Sequence, residues 1–501
     1  MTMTSLKHII FVAGPSKSHV QPGVKFCVNF VNKNPNLYIS VYTLALLADF
    51  GAAFLSTQTK EAQNRIRIIP SVLDMEIASP LDVVLALEKS FGPWILEQLS
   101  VPSFEAGGHV IAPPSHIIED HINGGISLAS KDEHKLPIIS WWLTAAASMI
   151  AHFGNEEHGQ GDRLFITIGE LMAKQQPGSE KSIEEVFHHV LSDRVLCVPG
   201  LPPFYEHEQI PQLLPMLLPF VVAVQPGWNK MRDQVDIVAI SSTYEFEPVA
   251  AEACANAFTH PIKPYFVGPG VEFPSTAPTE LDSTIKFLDQ AQSDLGPKSV
   301  IYMAFGTLFF PLPESARHLE IIIEEIISQG FRLIFALSSA IAGMNERLKE
   351  KLTASGDAIF PTWVNQLRVL EHPAIHYFVS HGGWNSTTEA VVRGVPMIFW
   401  PFAADQPTNV LQFTTQHDCG FQLLQVRSGA ARSKAYPDIT ITGTDDAVRS
   451  EVRGYLEASK GGRGRQQRLN VKALGKIMKG SFEKGGSADL ALEELGKALG
   501  L

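Results

Sequence analysis

Three predicted strand ends in the second half of the chain carry side chains that could hold a sugar nucleotide. Trp363 follows the first strand, and its indole ring could stack on a nucleotide base. His381 follows the second, where two glycines and a new helix offer backbone N–H groups to a phosphate. Asp405 and Gln406 follow the third, and a carboxylate with an amide suits sugar hydroxyls. Because ligands bind at the carboxyl ends of strands in open α/β sheets, these residues predict a nucleotide-sugar site.

The elements that must position these side chains follow from the neighbouring residues. Residues 377–380 form a short apolar run that is typical of a buried parallel strand, and the glycines after His381 end it. Asn385 and Ser386 are predicted N-cap residues of the next helix, with Glu389 in the capping-box position. An ordinary capped strand-to-helix turn is the alternative interpretation of this segment alone, because that geometry recurs throughout α/β proteins.

The residues from Trp363 to Gln406 resemble the signature of family 1 UDP-glycosyltransferases, in particular the plant enzymes of secondary metabolism. In that family the last residue of the signature is usually Gln in glucose users and often His in galactose users, so Gln406 implies UDP-glucose as the donor. The resemblance implies donor-binding residues for the uracil (Trp363 and Val364), the ribose (Gln366 and Glu389), the diphosphate (Thr307, His381, Asn385 and Ser386) and the sugar (Trp384, Asp405 and Gln406). For Thr307, which ends the strand-like run 299–307, a merely strand-terminating role is the alternative.

His19 is the predicted catalytic base. Deprotonating a hydroxyl acceptor requires a group that titrates near neutral pH, which favours histidine. The family places its base in a Gly-His-x-x-Pro arrangement after the first strand, and His19 precedes Pro22 at the same spacing, with Ser18 in the place of the glycine. Taken alone, His19 could be a solvated histidine in a loop, because the following helix is predicted only from Gly23.

Asp120 is the predicted partner of His19, because a carboxylate on the second imidazole nitrogen fixes the tautomer and stabilises the imidazolium. It ends the predicted strand 115–120, and a Trp-rich strand follows as in the family. Two alternatives stay open. Glu119 is adjacent but is expected on the opposite face of the strand, and another alignment ends the strand near Ala112.

The order of the elements predicts an α/β fold. Strand-like runs alternate with helical segments in the first half, and the run 299–307 begins a second α/β unit, so both halves predict doubly wound parallel sheets. The resemblance implies the GT-B architecture, two Rossmann-like domains facing a cleft. We predict an acceptor-binding domain over residues 1–268, a linker over 269–295, a UDP-sugar-binding domain over 296–480 and a C-terminal helix over 481–501 that packs back on the first domain.

The length, net charge and cysteine spacing of the chain limit the kinds of partner and cellular location that we expect. The 501 residues suffice for two domains, and the net charge of −12 argues against nucleic acid or an anionic membrane as the main partner. The N-terminal residues lack a signal pattern and no run of about 18 apolar residues occurs, so we expect a cytoplasmic protein without integral membrane association. The four cysteines have no C-x-x-C spacing, which predicts neither a disulfide framework nor a zinc site. We expect a monomer.

The predicted activity is that of a hexosyltransferase that moves glucose from UDP-glucose to a hydroxyl of a small lipophilic acceptor, with inversion. No cofactor or metal is expected, because His381 and a helix N-terminus can stabilise the diphosphate and no Asp-x-Asp pair occurs. Trp142, Phe91 and Phe204 are candidate walls of the acceptor pocket, with a position in the core as the alternative for each. A catalytically silent UDP-sugar-binding protein and a nucleotide-sugar epimerase or hydrolase on the same scaffold are the alternative functions.

Overall fold

A computed structural model describes residues 5–72, 79–176, 178, 181–274 and 282–501. The strands in these residues are, in chain order, β1 (Leu6–Val12), β2 (Leu37–Thr43), β3 (Ile66–Pro70), β4 (Phe104–Ala106), β5 (His109–Asp120), β6 (Ile138–Trp142), β7 (Val195–Leu196), β8 (Phe204–Tyr205), β9 (Ile237–Ile240), β10 (Lys263–Phe266), β11 (Val300–Ala304), β12 (Arg332–Ala336), β13 (Ala358–Ile359), β14 (Ile375–Ser380), β15 (Met397–Phe399), β16 (Gly420–Gln422), β17 (Lys434–Ala435) and β18 (Ile439–Thr440).

The helices alternate with these strands through most of the chain. They are α1 (Lys17–Lys33), α2 (Ala45–Ser56), α3 (Lys60–Arg65), α4 (Pro80–Ser100), α5 (Ile126–Ala129), α6 (Lys131–His134), α7 (Ala146–Phe153), α8 (Arg163–Ala173), α9 (Ile183–Val190), α10 (Leu217–Gln234), α11 (Pro248–Cys254), α12 (Ser283–Leu295), α13 (Ala316–Ser328), α14 (Glu346–Ser355), α15 (Gln366–Glu371), α16 (Trp384–Val392), α17 (Gln406–Leu411), α18 (Asp445–Lys460), α19 (Gly462–Ser481) and α20 (Ser487–Ala498). In the described part of the chain, no helix is both long and apolar enough to cross a membrane.

The first sheet has the strand order β10-β9-β6-β5-β1-β2-β3, and neighbouring strands along this path are parallel. The short strand β4 adds an antiparallel pair at the start of β5. Every residue of β2 is buried, as expected for a parallel strand that helices cover on both faces. The predicted doubly wound parallel sheet of the first half is therefore confirmed.

The second sheet has the order β13-β12-β11-β14-β15-β16 and is entirely parallel. The central strands β11 and β14 are buried over their whole length. The carboxyl ends of β11, β14 and β15 are neighbours, so the turns that follow these three strands meet at one edge. Strand β13, which Trp363 follows, lies at the border of the sheet and is separated from β14 by the two strands β12 and β11.

The chain divides into two compact units, each built from several segments. The first consists of Met1–Val190, Pro215–Val271 and Gly480–Leu501, and the second of Leu191–Leu214 and Glu272–Lys479. The predicted first domain, residues 1–268, includes the segment Leu191–Leu214, which the structure assigns to the second unit. A buried ion pair accounts for part of this assignment, because Nη1 of Arg427 lies 2.7 Å from Oε2 of Glu208.

Candidate functional site

His19 and Asp120 lie together in the first unit, where two adjacent parallel strands end. Strands β1 and β5 pair with Val12 opposite Glu119, which brings the residues after both strand ends close to each other. Nδ1 of His19 lies 2.7 Å from Oδ2 of Asp120. The Asp120 side chain is buried, whereas the His19 side chain is 21% exposed. A histidine with a buried carboxylate on one ring nitrogen has the arrangement of a general base and its orienting partner.

The helix that carries His19 begins earlier than the sequence predicts. Helix α1 starts at Lys17 instead of Gly23, so His19 stands in the first helical turn and not in a loop. The backbone N–H of His19 already donates to the carbonyl of Ser16 at 3.0 Å.

Gly14 permits the close approach of the two residues. A Cβ atom at position 14 would lie 2.7 Å from Oδ2 of Asp120, 2.7 Å from Nδ1 of His19 and 2.6 Å from Cγ2 of Ile122. The backbone N–H of Gly14 also donates to Oδ2 of Asp120 at 3.2 Å. No role was predicted for Gly14, although a glycine directly after a buried apolar run can indicate a close approach of the backbone to other groups.

The structure decides between the two alternatives for the carboxylate partner. Strand β5 continues to Asp120, so an alignment that ends the strand near Ala112 is wrong. Glu119 points away from His19, as expected, and its carboxylate accepts hydrogen bonds from the backbone N–H groups of Ile126 at 2.8 Å and Ser127 at 3.0 Å. Asp120 is therefore the carboxylate that contacts the imidazole.

In the second unit, His381 lies between two glycines at the ends of neighbouring strands. A Cβ atom at Gly306 would lie 3.1 Å from Nε2 of His381, and one at Gly383 would lie 2.5 Å from the same atom. Burial lowers the pKa of His381 to about 4, so the imidazole is neutral at pH 7. Its Nδ1 atom has no hydrogen-bond partner among the described residues. A neutral imidazole in this place can donate one hydrogen bond to a phosphate oxygen.

The helix after His381 starts differently from the prediction. Gly383 is the N-cap residue and α16 begins at Trp384, so the predicted capping by Asn385 and Ser386 is wrong. The extended backbone of Gly383 (φ −63°, ψ 143°) starts the helix without a capping side chain, and this places Asn385 and Ser386 in the first turn. A helix N-terminus with polar side chains in its first turn favours an anion.

The two predicted ribose contacts are joined in one hydrogen-bond network. Nε2 of Gln366 donates to Oε2 of Glu389 at 2.7 Å and to Oγ of Ser386 at 3.3 Å. Oε1 of Gln366 accepts from the hydroxyl of Tyr302 at 2.9 Å. Desolvation raises the pKa of Glu389 above its ordinary value. The predicted capping-box role of Glu389 is thus replaced by a contact with Gln366, and Tyr302, a polar group in a buried strand, is a residue that the sequence analysis missed.

Asp405 and Gln406 follow β15, but their oxygen atoms are partly engaged by the protein. Oδ2 of Asp405 accepts from Nδ2 of Asn409 at 2.7 Å and from the backbone N–H of Trp384 at 3.3 Å. Oε1 of Gln406 accepts from the backbone N–H groups of Phe402 at 2.8 Å and the next residue at 3.2 Å. Hydrogen bonding to a sugar hydroxyl by Gln406 would therefore use its amide nitrogen as a donor.

The remaining donor residues occupy the ends of β11 and β13. Thr307 stands next to Gly306, whose φ of +74° lies in the left-handed region that favours glycine. The close approach of Gly306 to His381 brings the segment of Thr307 next to the imidazole. Trp363 is 62% exposed and Val364 is buried. An exposed indole at a strand end offers a flat apolar surface to a base.

One of the three predicted acceptor-pocket residues is accessible. Trp142 ends β6 and is half-buried, with its ring 5.3 Å from the ring of His121 in an edge contact. Phe91 is buried in the core of the first unit against Tyr42, at 5.4 Å between ring centroids. Phe204 is buried in β8 of the second unit. The positions of Phe91 and Phe204 therefore fit the core alternative.

The positions of the possible metal-ligating side chains bear on whether the chain could hold a metal ion. Within the described ranges, no group of three or more His, Cys, Asp or Glu side chains is arranged to hold a metal ion.

The chain is similar to known sugar-transferring proteins along most of its length. Residues 257–428 match the family model described as UDP-glucoronosyl and UDP-glucosyl transferase. UDP-glycosyltransferase eriJ of Hericium erinaceus is 26% identical over 89% of this chain and 89% of its own length. UDP-glycosyltransferase 87A1 of Arabidopsis thaliana is 23% identical over 96% and 97%. Crocetin glucosyltransferase 2 of Crocus sativus is 28% identical over 70% and 82%.

Solved structures share the fold. UGT71G1 of Medicago truncatula, complexed with UDP-glucose, aligns with a TM-score of 0.69 and 18% identity over 99% of this chain and 98% of its own. A UGT transferase from Siraitia grosvenorii in complex with UDP aligns with a TM-score of 0.71 and 17% identity over 99% and 100%.

Proposed function

We propose that this chain, which belongs to the UDP-glycosyltransferase family, transfers glucose from UDP-glucose to a hydroxyl group of a small lipophilic acceptor. Its fold is GT-B, as predicted. The observation that carries the proposal is the hydrogen bond of 2.7 Å between His19 and the buried Asp120. A protein that only binds a sugar nucleotide has no use for such a pair.

Acceptor activation is assigned to the first unit. With the N–H at Nδ1 of His19 directed to Asp120, Nε2 is the basic nitrogen of the ring. Nε2 takes the proton of the acceptor hydroxyl as the oxygen attacks the anomeric carbon. The negative charge of Asp120 stabilises the imidazolium that forms and keeps the ring in the correct tautomer.

Donor binding and leaving-group stabilisation are assigned to the second unit. The bond between the anomeric carbon and the diphosphate oxygen breaks as the bond to the acceptor oxygen forms, and UDP leaves with the electron pair. The neutral imidazole of His381 and the N-terminus of α16 support this step, because both can donate hydrogen bonds to the developing negative charge. A single displacement converts the α-linked donor into a β-glucoside.

The base and ribose contacts are proposed for the residues that the family resemblance assigns to them. Trp363 stacks on the uracil with Val364 beside it, and the exposure of the indole supports this role. Gln366 and Glu389 hold the ribose hydroxyls, which fits a network already rich in donors and acceptors. Glucose as the sugar follows from Gln406, whose amide nitrogen is the group left for a sugar hydroxyl.

The acceptor is proposed as a small lipophilic molecule with a hydroxyl group. The half-buried ring of Trp142 near the end of β6 supports an apolar binding surface in the first unit. A cytoplasmic location, a monomeric state and independence from metal stay predictions of the sequence.

A catalytically silent binder and a nucleotide-sugar epimerase or hydrolase are less well supported. A silent binder gives no reason for the hydrogen bond between Asp120 and His19, because that bond orients an imidazole for proton transfer and is not needed to bind a sugar nucleotide. A hydrolase would release UDP and free glucose without an acceptor. Product analysis distinguishes these functions.

The test is a UDP-release assay with UDP-glucose and a mixed panel of phenols, flavonoids, sterols and aliphatic alcohols, with the product masses recorded. An acceptor that gains one hexose supports the transferase and identifies the substrate class. Equal UDP release with and without the panel, and no glycosylated product, contradicts it in favour of hydrolysis. UDP-galactose and UDP-glucuronic acid in parallel reactions test the proposed donor.

A further inference from the structure

Strand β5 ends in two consecutive acidic residues whose carboxylates lie in different surroundings. Asp120 contacts His19, whereas the side chain of Glu119 is completely buried on the other face. Its Oε1 accepts from the backbone N–H of Ile126 at 2.8 Å, and its Oε2 accepts from the backbone N–H of Ser127 at 3.0 Å and from the Ser127 hydroxyl. The proposed chemistry gives Glu119 no role, although a buried carboxyl group is costly unless it is fully hydrogen-bonded.

The three hydrogen bonds of Glu119 close a loop that starts at Asp120 and returns at Ser127. The loop begins with a 3₁₀ turn over His121–Asn123 and then passes through Gly124, whose φ of +70° is left-handed. Oδ1 of Asp120 accepts from the backbone N–H of Ile122 inside the loop at 3.2 Å. The carboxylate that orients His19 is thus bonded to the loop that Glu119 closes.

The same loop reaches the proposed acceptor surface. The ring of His121 lies 5.3 Å from the ring of Trp142 and 4.8 Å from the ring of Phe153. Nδ1 of His121 is hydrogen-bonded to Oγ of Ser140 at 3.1 Å. A shift of this loop would therefore move the surroundings of Asp120 and of Trp142 together.

We propose that Glu119 is a positioning residue for acceptor activation. Its hydrogen bonds to Ile126 and Ser127 fix the loop between these residues and Asp120. Through that loop they also fix the orientation of the Asp120 carboxylate and the contact of His121 with Trp142. This inference rests on the proposed roles of His19 and Asp120. Small displacements of a catalytic group reduce rates strongly, because the reacting atoms must be held in a narrow geometry.

Replacing one acceptor oxygen of Glu119 should loosen the loop without creating a cavity in the core. Glu119→Gln keeps the volume of the side chain, but its amide nitrogen cannot accept the hydrogen bonds that Oε2 accepts from Ser127. A buried N–H group is then left without its acceptor, which favours a different loop conformation. Ser127→Ala removes the hydroxyl contact alone and is the milder change.

Glu451 provides the matched control. It is a partly buried carboxyl group of the second unit that accepts from the backbone N–H groups of Leu424 at 2.9 Å and Gln425 at 3.0 Å. Burial raises the pKa of both Glu119 and Glu451 to about 7. Glu451→Gln therefore makes the same chemical change at a carboxyl group that also accepts from two backbone N–H groups, away from the loop of Asp120.

The experiment compares the wild type, Glu119→Gln, Ser127→Ala and Glu451→Gln in sugar transfer, UDP binding and thermal unfolding. The ring signals of His19, from protein with ¹⁵N-labelled histidine, are followed against pH and assigned with His19→Ala. We expect Glu119→Gln to lower kcat at least tenfold, to raise the KM of the acceptor and to shift the His19 titration, with the Kd of UDP within twofold of the wild type. Ser127→Ala should act in the same direction with a smaller change.

Glu451→Gln should leave kcat, the acceptor KM and the His19 titration within twofold of the wild type, even if it lowers the Tm as much. Equal effects of Glu119→Gln and Glu451→Gln on kcat and on the His19 titration would overturn the inference. If Glu119→Gln fails to fold, unchanged kcat and an unchanged titration in Ser127→Ala would also overturn it. A wild type that transfers no sugar, or a fully active His19→Ala, refutes the proposed function instead, and the His19 titration still decides whether Glu119 positions the pair.

Discussion

A hydrogen bond of 2.7 Å joins Nδ1 of His19 to Oδ2 of Asp120, although 101 positions separate the two residues in the chain. The parallel pairing of β1 with β5 accounts for this proximity, since both strands end at the same edge of the first sheet. The bond also depends on Gly14, which leaves no side chain between the two strand ends. Each of these residues can be tested separately.

His19→Ala should lower kcat by about 10²-fold or more, because the acceptor hydroxyl then has no positioned base. The Kd of UDP should stay within twofold, since the donor residues belong to the second unit. Sugar transfer under saturating donor and calorimetric UDP binding measure the two effects. His109→Ala removes an exposed histidine of the same unit and should behave as the wild type. A large loss of UDP affinity in His19→Ala would show that the residue has been assigned to the wrong substrate.

Gly14→Ala should abolish most of the activity in a folded protein. The added methyl carbon would lie 2.7 Å from both Nδ1 of His19 and Oδ2 of Asp120, so these atoms must separate. Transfer rates and circular dichroism spectra, measured on the same samples, check this expectation. Gly454→Ala is the control, because a Cβ at that helical position meets no atom within 4 Å. It should be neutral or stabilising by up to about 1 kcal/mol.

Trp363→Ala should weaken UDP binding roughly 10-fold to 100-fold, in line with about 1–3 kcal/mol for the stacking of one base on an aromatic ring. Trp363→Phe keeps an aromatic surface and should recover part of the affinity. Calorimetric titration with UDP measures both variants. Equal affinity of the alanine variant and the wild type would mean that the exposed indole does not contact the uracil.

Gln406→His should weaken the transfer of glucose relative to galactose in a competition between the two donors. Gln406→Glu separates the two ends of the amide, since it keeps an oxygen for the backbone N–H groups of Phe402 and Ala403 but loses the amide nitrogen. We expect the glutamate variant to fold normally and to lose glucose transfer. Because glucosides and galactosides have the same mass, the competition uses UDP-glucose labelled with ¹³C in the sugar against unlabelled UDP-galactose, and the product masses then give the donor preference. An unchanged ratio in both variants would remove the argument for UDP-glucose.

The contribution of Glu451 to the free energy of unfolding should decrease as the pH rises from about 4.5 to about 7. Burial raises the pKa of Glu451 from 4.5 to about 7, so the folded chain keeps a proton that the unfolded chain has released in this range. The decrease is about 1.4 kcal/mol per pH unit for each such group and ends above the folded pKa. Glu451→Gln removes this contribution, so the free energy of unfolding of the wild type should fall relative to that of the variant by that amount per pH unit. Urea unfolding at pH 5, 6, 7 and 8 measures it, and parallel curves for the two proteins would contradict the expectation.

Local patterns in the sequence were sufficient for most of the central parallel strands and for the doubly wound class of the sheets. A buried parallel strand such as β14 is a continuous apolar run, and the turn after it carries His381, so both could be predicted from neighbouring residues. The pairing of His19 with Asp120 followed from family resemblance, because nothing local connects residues so far apart.

The predictions that were wrong concern features that depend on contacts with other parts of the fold. Helix α1 starts before its apolar pattern does, and Gly383 begins α16 through its backbone, so capping preferences alone misplaced both starts. The oxygen of Gln406 is bonded to the backbone N–H of Phe402 and the next residue, which is a property of the folded turn. Phe91 is an aromatic residue whose place in the core depends on Tyr42, far away in the chain.

The segment Leu191–Leu214 has a consequence for building hybrid enzymes. It is encoded between segments of the first unit but carries Glu208, whose buried carboxylate pairs with Arg427. A hybrid that joins the first half of one relative to the second half of another would supply these two charges from different parents. A buried charge that loses its partner typically costs about 3–5 kcal/mol. Crossover points that transfer residues 191–214 together with 272–479 keep the pair within one parent, whereas a single junction between Glu208 and Arg427 separates it.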